Sequence, residues 1–480
     1  MQTGRPVALP AYLDSGTIGG RARVALYSPA DMNRLRQIWE RLHGSFWFIP
    51  SCLVITAIIA GVVIVDIDHR LDVDLGEQYP RIFGTGSDGA QGILESIATS
   101  VITVAGITFS ITILILNEAS SQYSPRVLRN FVRDRRNQGV LGAFLAVFVY
   151  CLIVLRAIHD IDDETFIPYL AVFVSIVLAI ISIGVLIYFI HHIAYSIQAT
   201  TIVERISKET LKAVDDLFPQ QLGAGADEEP WEKPQDEENG SEWYPVKSTK
   251  SGYLSFVDPD SLLKYAEEHK MIVRIDYEVG DFVVKDTPLV SVLRANGPDD
   301  DEQKKFRSML SVNTYRSLEQ DAAYGIRQLV DIALKALSPS MNDTTTANLC
   351  IDHLTNILGQ IIQRKIESPY RLRNGQLRVI APRPDFEGLL RAALDQIREH
   401  ANGNVSILDQ ILHMTKVLSK ISDSPTRLKA VYDQTSLFRE VIEEKVVLKP
   451  DKERLLAKYD AVQAELHEKL GRLRRARLTS

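Results

Sequence analysis

The sequence predicts a membrane α-helical protein with four transmembrane helices, followed by a cytoplasmic α+β domain that has a small β unit and a helical C-terminal part. Three observations predict it. Apolar runs long enough to cross a bilayer are confined to the part of the chain before residue 193. Arginines collect before the first run and between the second and third, which by the positive-inside bias puts both chain ends in the cytoplasm. Beyond residue 245 the period changes to short alternating segments and then to amphipathic helices.

Residues 1–44 read as a cytoplasmic tail and an amphipathic helix. Ser28, Pro29 and Asp31 suit the N-cap, first position and first turn of a helix, and Met32, Leu35, Trp39 and Leu42 form its apolar stripe. No apolar run precedes residue 40, so a cleaved signal peptide is not expected.

The four-span domain covers 45–193, with spans at about 46–65, 93–116, 139–158 and 167–190. They are apolar nearly all round, whereas the helices of a soluble bundle would keep a polar face. The first and third connections are acidic, through Asp66, Asp68, Asp160, Asp162 and Asp163, and would form a cation-attracting rim at an outer mouth. The loop after the second span is basic. Glu118, Gln122, Arg126 and Arg129 mark this membrane–cytoplasm junction.

Within the second span, Thr99, Thr103, Gly106, Ser110 and Asn117 recur at three, four and seven residues, so they share one helical face. Two readings of that face stay open. Small and hydroxylated residues let membrane helices pack closely, and in a symmetric oligomer the same residues could line a pore as rings that replace part of an ion's hydration.

Residues 194–245 read as a helical extension and an acidic linker, 246–300 as a small β-rich unit, and 301–480 as a helical cytoplasmic domain in which 301–338 is helical throughout. The phrase VGDFVVKDTPLVSVL is similar to the curled strands of biotinyl or lipoyl-type sandwich domains, as a scaffold only, since Lys285 lacks the modification context. Asp321, Arg327, Ser338, Asn342 and Asp343 are candidates for a cytoplasmic ligand or partner site. The competing reading of ALSPSMNDTTTA is a structural turn whose short polar side chains satisfy helix ends. The terminal arginines, Arg472, Arg474, Arg475 and Arg477, could contact anionic lipid or stay solvated.

A net charge of -7 gives no general case for nucleic-acid binding. The three cysteines, Cys52, Cys151 and Cys350, form no close pair, so neither a disulfide framework nor a zinc site is expected. Nucleotide-loop, zinc-protease, EF-hand and hydrolase-elbow spacings are absent from the sequence. Asp321, Asp352 and His353 sit in ordinary charged-helix contexts. No catalytic residue, metal or cofactor is therefore assigned.

Several separated motifs occur in the order of a known family. Glu118-Ala119-Ser120-Ser121-Gln122-Tyr123-Ser124-Pro125-Arg126, Gly280-Asp281-Phe282-Val283, Gln320 to Arg327 and Ala336 to Asp343 resemble the signature of a prokaryotic membrane-protein family known as domain of unknown function 2254. The resemblance runs over roughly residues 30 to 440, with Tyr123 and Tyr324 where the family commonly has Phe, and Thr344 where it commonly has Pro. It implies a four-span protein of the prokaryotic plasma membrane and supplies no reaction. The function expected from the residues is an oligomeric cation channel or transporter regulated by its cytoplasmic domain. The expected partners are the lipid bilayer, further copies of the chain and an inorganic cation. A membrane-anchored sensor or scaffold without transport, or an enzyme at the inner face, are the alternatives.

Overall fold

In a computed structural model of the chain, the described residues are 47–71, 86–122, 135–161, 164–217, 242–318, 320–364, 366 and 368–479. The expected tail and amphipathic helix over 1–44 and most of the acidic linker lie outside them.

Four helices come first: α1 (Phe48–Leu71), α2 (Ser87–Gln122), α3 (Arg135–Ala157) and α4 (Tyr169–Ser196). All four are long and apolar enough to cross a membrane. Helices suit that setting because each backbone polar group finds its partner within the segment, where no water can supply one. The 36 residues of α2 extend about 54 Å, well beyond a hydrocarbon core of about 30 Å, so both its ends project.

The bundle is built around α3, which packs against α1, α2 and α4. Phe144, Tyr150, Cys151 and Val154 of α3 are almost fully buried at these contacts. Asp68, near the end of α1, accepts hydrogen bonds from the Leu170 and Ala171 backbone N–H groups at 3.3 and 3.0 Å, satisfying open donors in the first turn of α4. The Tyr150 hydroxyl donates to the Ala171 carbonyl at 3.0 Å. These bonds put the end of α1 and the start of α4 at one end of the bundle, beside a hairpin of β1 (His159–Ile161) and β2 (Glu164–Phe166).

Helix α5 (Ala199–Leu217) follows α4 after two residues and enters the core of the second part of the molecule. That part contains two sheets. Strands β3 (Glu242–Lys247), β5 (Ile272–Ile275) and β7 (Pro288–Arg294) belong to a five-stranded sheet, while β4 (Gly252–Val257), β6 (Phe282–Val283) and β8 (Leu310–Asn313) form a three-stranded one. Helices α6 (Pro259–Glu268) and α7 (Asp300–Ser308) accompany them, and Leu254, Leu262, Val273, Val283, Val290 and Phe306 share one buried core. Asp258 caps α6, its carboxylate accepting from Ser261 N at 3.1 Å.

The stretch 301–338 is not helical throughout. Leu310 and Val312 are buried and alternate with Ser311 and Asn313, and this short period-two segment pairs with β4 as β8. The five-stranded sheet is completed from a distance, in the order β3-β7-β5-β10-β9, by β9 (Tyr370–Arg373) and β10 (Gln376–Ile380).

The remaining helices are α8 (Ala322–Ala336), α9 (Thr344–Ile361), α10 (Phe386–His400), α11 (Val405–Ile421), α12 (Pro425–Ser436), α13 (Phe438–Lys445) and α14 (Lys449–Thr479). Asp321, Asp343, Asp385 and Asn404 cap α8, α9, α10 and α11 through their side chains. Together with α5 these helices enclose the largest apolar core of the described residues.

Candidate functional site

Helix α2 has two unlike faces. Leu94, Ala98, Val101, Ala105, Thr108 and Thr112 are buried in the molecule. Thr99, Thr103, Gly106, Ser110 and Asn117 are all exposed, and a β-carbon on Gly106 would have no neighbour within 4 Å. The hydroxyls of Thr103 and Ser110 donate to the Thr99 and Gly106 carbonyls at 2.7 and 2.9 Å, one turn back along the same helix. The expected face is thus intact as a stripe, and it points away from its own bundle.

The stripe is longer than the sequence reading made it. Asp88 and Glu95, both exposed, continue the same arc towards the start of α2. The spacing of seven and four residues that leads from Asp88 through Glu95 to Thr99 was the signal for them. At the other end Glu118 is exposed, Gln122 is the last helical residue, and Arg126 and Arg129 lie outside the described residues. Next to Asn117, Leu116 packs against the core of the helical domain, so the end of the stripe is joined mechanically to that domain.

Of the acidic rim, Asp66 is exposed and paired with Arg70 at 2.9 Å, while Asp68 is engaged with the start of α4. Asp160 stands in β1 opposite Thr165, and Asp162 and Asp163 lie outside the described residues.

In the helical domain the candidate residues separate. Asp321 is buried at the start of α8 and meets Arg316 through two hydrogen bonds, Nε to Oδ2 at 2.8 Å and Nη2 to Oδ1 at 2.9 Å. It also accepts from Tyr324 N at 2.9 Å. Burial pushes its carboxyl upward, and the Arg316 guanidinium opposes that shift. Gly280, at φ +102, lies so close that a β-carbon there would fall 2.5 Å from Asp321 Oδ2. The neighbouring Gln320 holds both the N–H and the carbonyl of Val257, at 3.0 and 3.1 Å. Arg327 pairs with Asp331 on its own helix at 2.9 Å.

Ser338, Asn342 and Asp343 stand beyond the other end of α8, whose 15 residues span about 22 Å. Asp343 caps α9 by accepting from Thr346 N at 3.0 Å, and hydrogen bonds from the Thr346 side chain and backbone hold its carboxyl below the usual range. Asn342 adopts a positive φ of 46, a conformation asparagine tolerates better than most residues. Asp321 and Asp343 therefore serve two helix ends, at two places. Asp352 accepts from Gln410, and burial lowers the affinity of the His353 imidazole for its proton.

The family described as "Predicted membrane protein (DUF2254)" matches residues 43–416. Three relatives are each 33% identical over 414 residues, covering 85% of this chain and 78% of their own length. They are uncharacterized proteins of Mycobacterium tuberculosis strains CDC 1551 / Oshkosh and ATCC 25618 / H37Rv and of Mycobacterium bovis strain ATCC BAA-935 / AF2122/97. No solved structure matches the chain.

Proposed function

This chain belongs to the predicted membrane-protein family DUF2254, and we propose that it assembles as a homo-oligomer whose α2 helices line a path for inorganic cations. The observation that carries this reading is the outward polar stripe of α2. In a lone protomer it would meet hydrocarbon, whereas around a symmetry axis Thr99, Thr103, Gly106 and Ser110 would recur as rings of oxygen atoms and open space. Asp88 and Glu95 would stand at the outer mouth and raise the local cation concentration. Arg135 and Arg136 open α3 at the end of the bundle from which α5 leaves, which by the positive-inside bias makes the mixed domain cytoplasmic. Regulation by that domain would act through Leu116 and α5, which both bury side chains against the helical core.

The test is ion flux in proteoliposomes under separate cation and anion gradients, with a Thr103→Leu/Ser110→Leu variant. Both side chains are exposed, so the variant is expected to fold. Cation flux that falls in it supports the path. Folded, oriented protein with no flux under either gradient supports a membrane-anchored sensor or scaffold instead.

A further inference from the structure

The packing of α5 fixes which end of the helical domain lies nearest the membrane. The end of α5 meets the start of α8, where Thr210 touches Gly325, and the end of α9, where Asp215 pairs with Arg364, and α5 packs along both helices, so α5 and α8 run antiparallel. Asp215 pairs with Arg364 just beyond α9, and α9 returns along α8 after a seven-residue connection, so α5 and α9 run parallel. Counting along both helices brings Ser338 to Asp343 level with residues 195–197, where α4 ends. The α11 start is tied to the α9 start, Asn404 to Thr344 at 3.3 Å and Asn348 to Ser406 at 2.8 Å. A β-carbon on Gly403 would in turn touch the Lys445 carbonyl. The connection from α13 to α14 therefore lies at that same level.

That connection is unlike the rest of the domain surface. Val447 is 91% exposed and Leu448 65%, and Met341, also exposed, stands at the same end. Between residues 445 and 453 there are three lysines, Lys445, Lys449 and Lys452, against two carboxylates, Asp451 and Glu453. Lys449 lies 3.7 Å from Glu453 with its side chain still 85% exposed, and Lys452 donates to the Glu443 carbonyl at 2.7 Å. The acidic side chains of α13 precede them, and of these Glu443 is taken up by Arg439 at 2.8 Å.

We propose that this tip is seated on the bilayer surface from which α5 emerges, with Val447 and Leu448 in the interfacial region and the three lysines at lipid phosphates. An apolar side chain exposed on a loop at membrane level loses water contact by entering that layer, and ammonium groups beside it gain from anionic headgroups. Arg472, Arg474 and Arg475 take no part. Lys458 pairs with Asp409 at 2.8 Å and Lys469 donates to the Ser419 carbonyl at 3.0 Å, so α14 runs parallel to α11 and away from the membrane. Arg472 is then about 35 Å from Lys449. The inference is independent of transport, because it concerns where the domain rests.

The test uses the full chain in phosphatidylcholine/phosphatidylglycerol vesicles. A Cys52→Ser background removes the exposed thiol and leaves the two buried ones. A fluorophore is attached at Leu448→Cys or, as control, at Thr426→Cys, which is exposed at the far end of the domain beside Arg427, whose guanidinium holds the Ile362 and Arg364 carbonyls. The proposal expects the label at 448 to lose most of its emission to lipid spin-labelled near the headgroup and little to aqueous iodide, and the label at 426 to do the reverse. Iodide quenching at 448 equal to that at 426 overturns it. So does protection from both quenchers with disulfide cross-linking of copies through 448, which would assign the tip to a second copy.

Discussion

Thr210 on α5 occupies the space that a β-carbon on Gly325 of α8 would need, its Oγ1 standing 1.9 Å from that position. The helix that leaves the membrane thus meets the backbone of α8 through the Thr210 side chain, with no side chain from α8 between them. Gly325→Ala should push α5 off α8 and lower stability by about 1–3 kcal/mol, the usual cost of overpacking. Thermal unfolding of the purified protein reads the loss. Thr210→Ala should restore only part of it, because the Thr210 β-carbon would still lie 2.8 Å from the added methyl.

The Arg316–Asp321 pair makes a second prediction. Arg316→Ala would leave a buried carboxylate without its counter-charge and should cost about 3–5 kcal/mol, offset in part by the Tyr324 N–H. Arg316→Lys should recover less than half, since one ammonium cannot reproduce the two-pronged contact. Gly280→Ala should be comparably harmful, because φ is +102 and the site is filled by Asp321 and Arg316. Denaturation curves of the three variants decide the order.

Glu278 provides a pH test. Burial, then the charges of Asp281, Asp385 and Asp321, raise its carboxyl above the ordinary 4.5. A carboxyl that holds its proton more tightly in the folded state stabilises the fold below the unfolded value, and that contribution is lost as pH rises through the folded value. Glu278→Gln should therefore raise the melting temperature at neutral pH and leave it unchanged below pH 4.5. An equal effect at both would contradict this assignment.

Asp68 closes the start of α4 from the end of α1. Asp68→Ala should cost about 1 kcal/mol, typical of a lost cap, and Asp68→Asn less, because its amide oxygen can still accept from Ala171 N. Melting of the parent and both variants in one detergent is sufficient to see it.

The four spans were legible in the sequence because composition alone determines them: long apolar runs interrupted by arginine-rich and acid-rich loops have few other solutions. The cap Asp343 was legible because a short carboxylate at a helix start has a local partner. The direction of the Thr99 to Ser110 stripe was not, since a helix apolar on most sides leaves its orientation to tertiary packing. Strand β8 was hidden because Leu310–Asn313 is only four residues long and sits between two helices. The approach of Gly280 to Asp321, and the separation of Asp321 from Asp343 by the length of α8, are properties of the fold that spacing does not encode.

A cation path along the α2 stripe would be blocked by chemical modification of Thr103→Cys while flux is recorded. The experiment places a single reactive thiol in a background whose exposed Cys52 has been removed and adds a membrane-impermeant, positively charged thiol reagent while cation flux is recorded in proteoliposomes. Flux is expected before addition, with progressive loss as the thiol at 103 is modified, slowed by a high concentration of the permeating cation. Complete modification at 103 with cation flux unchanged would contradict it.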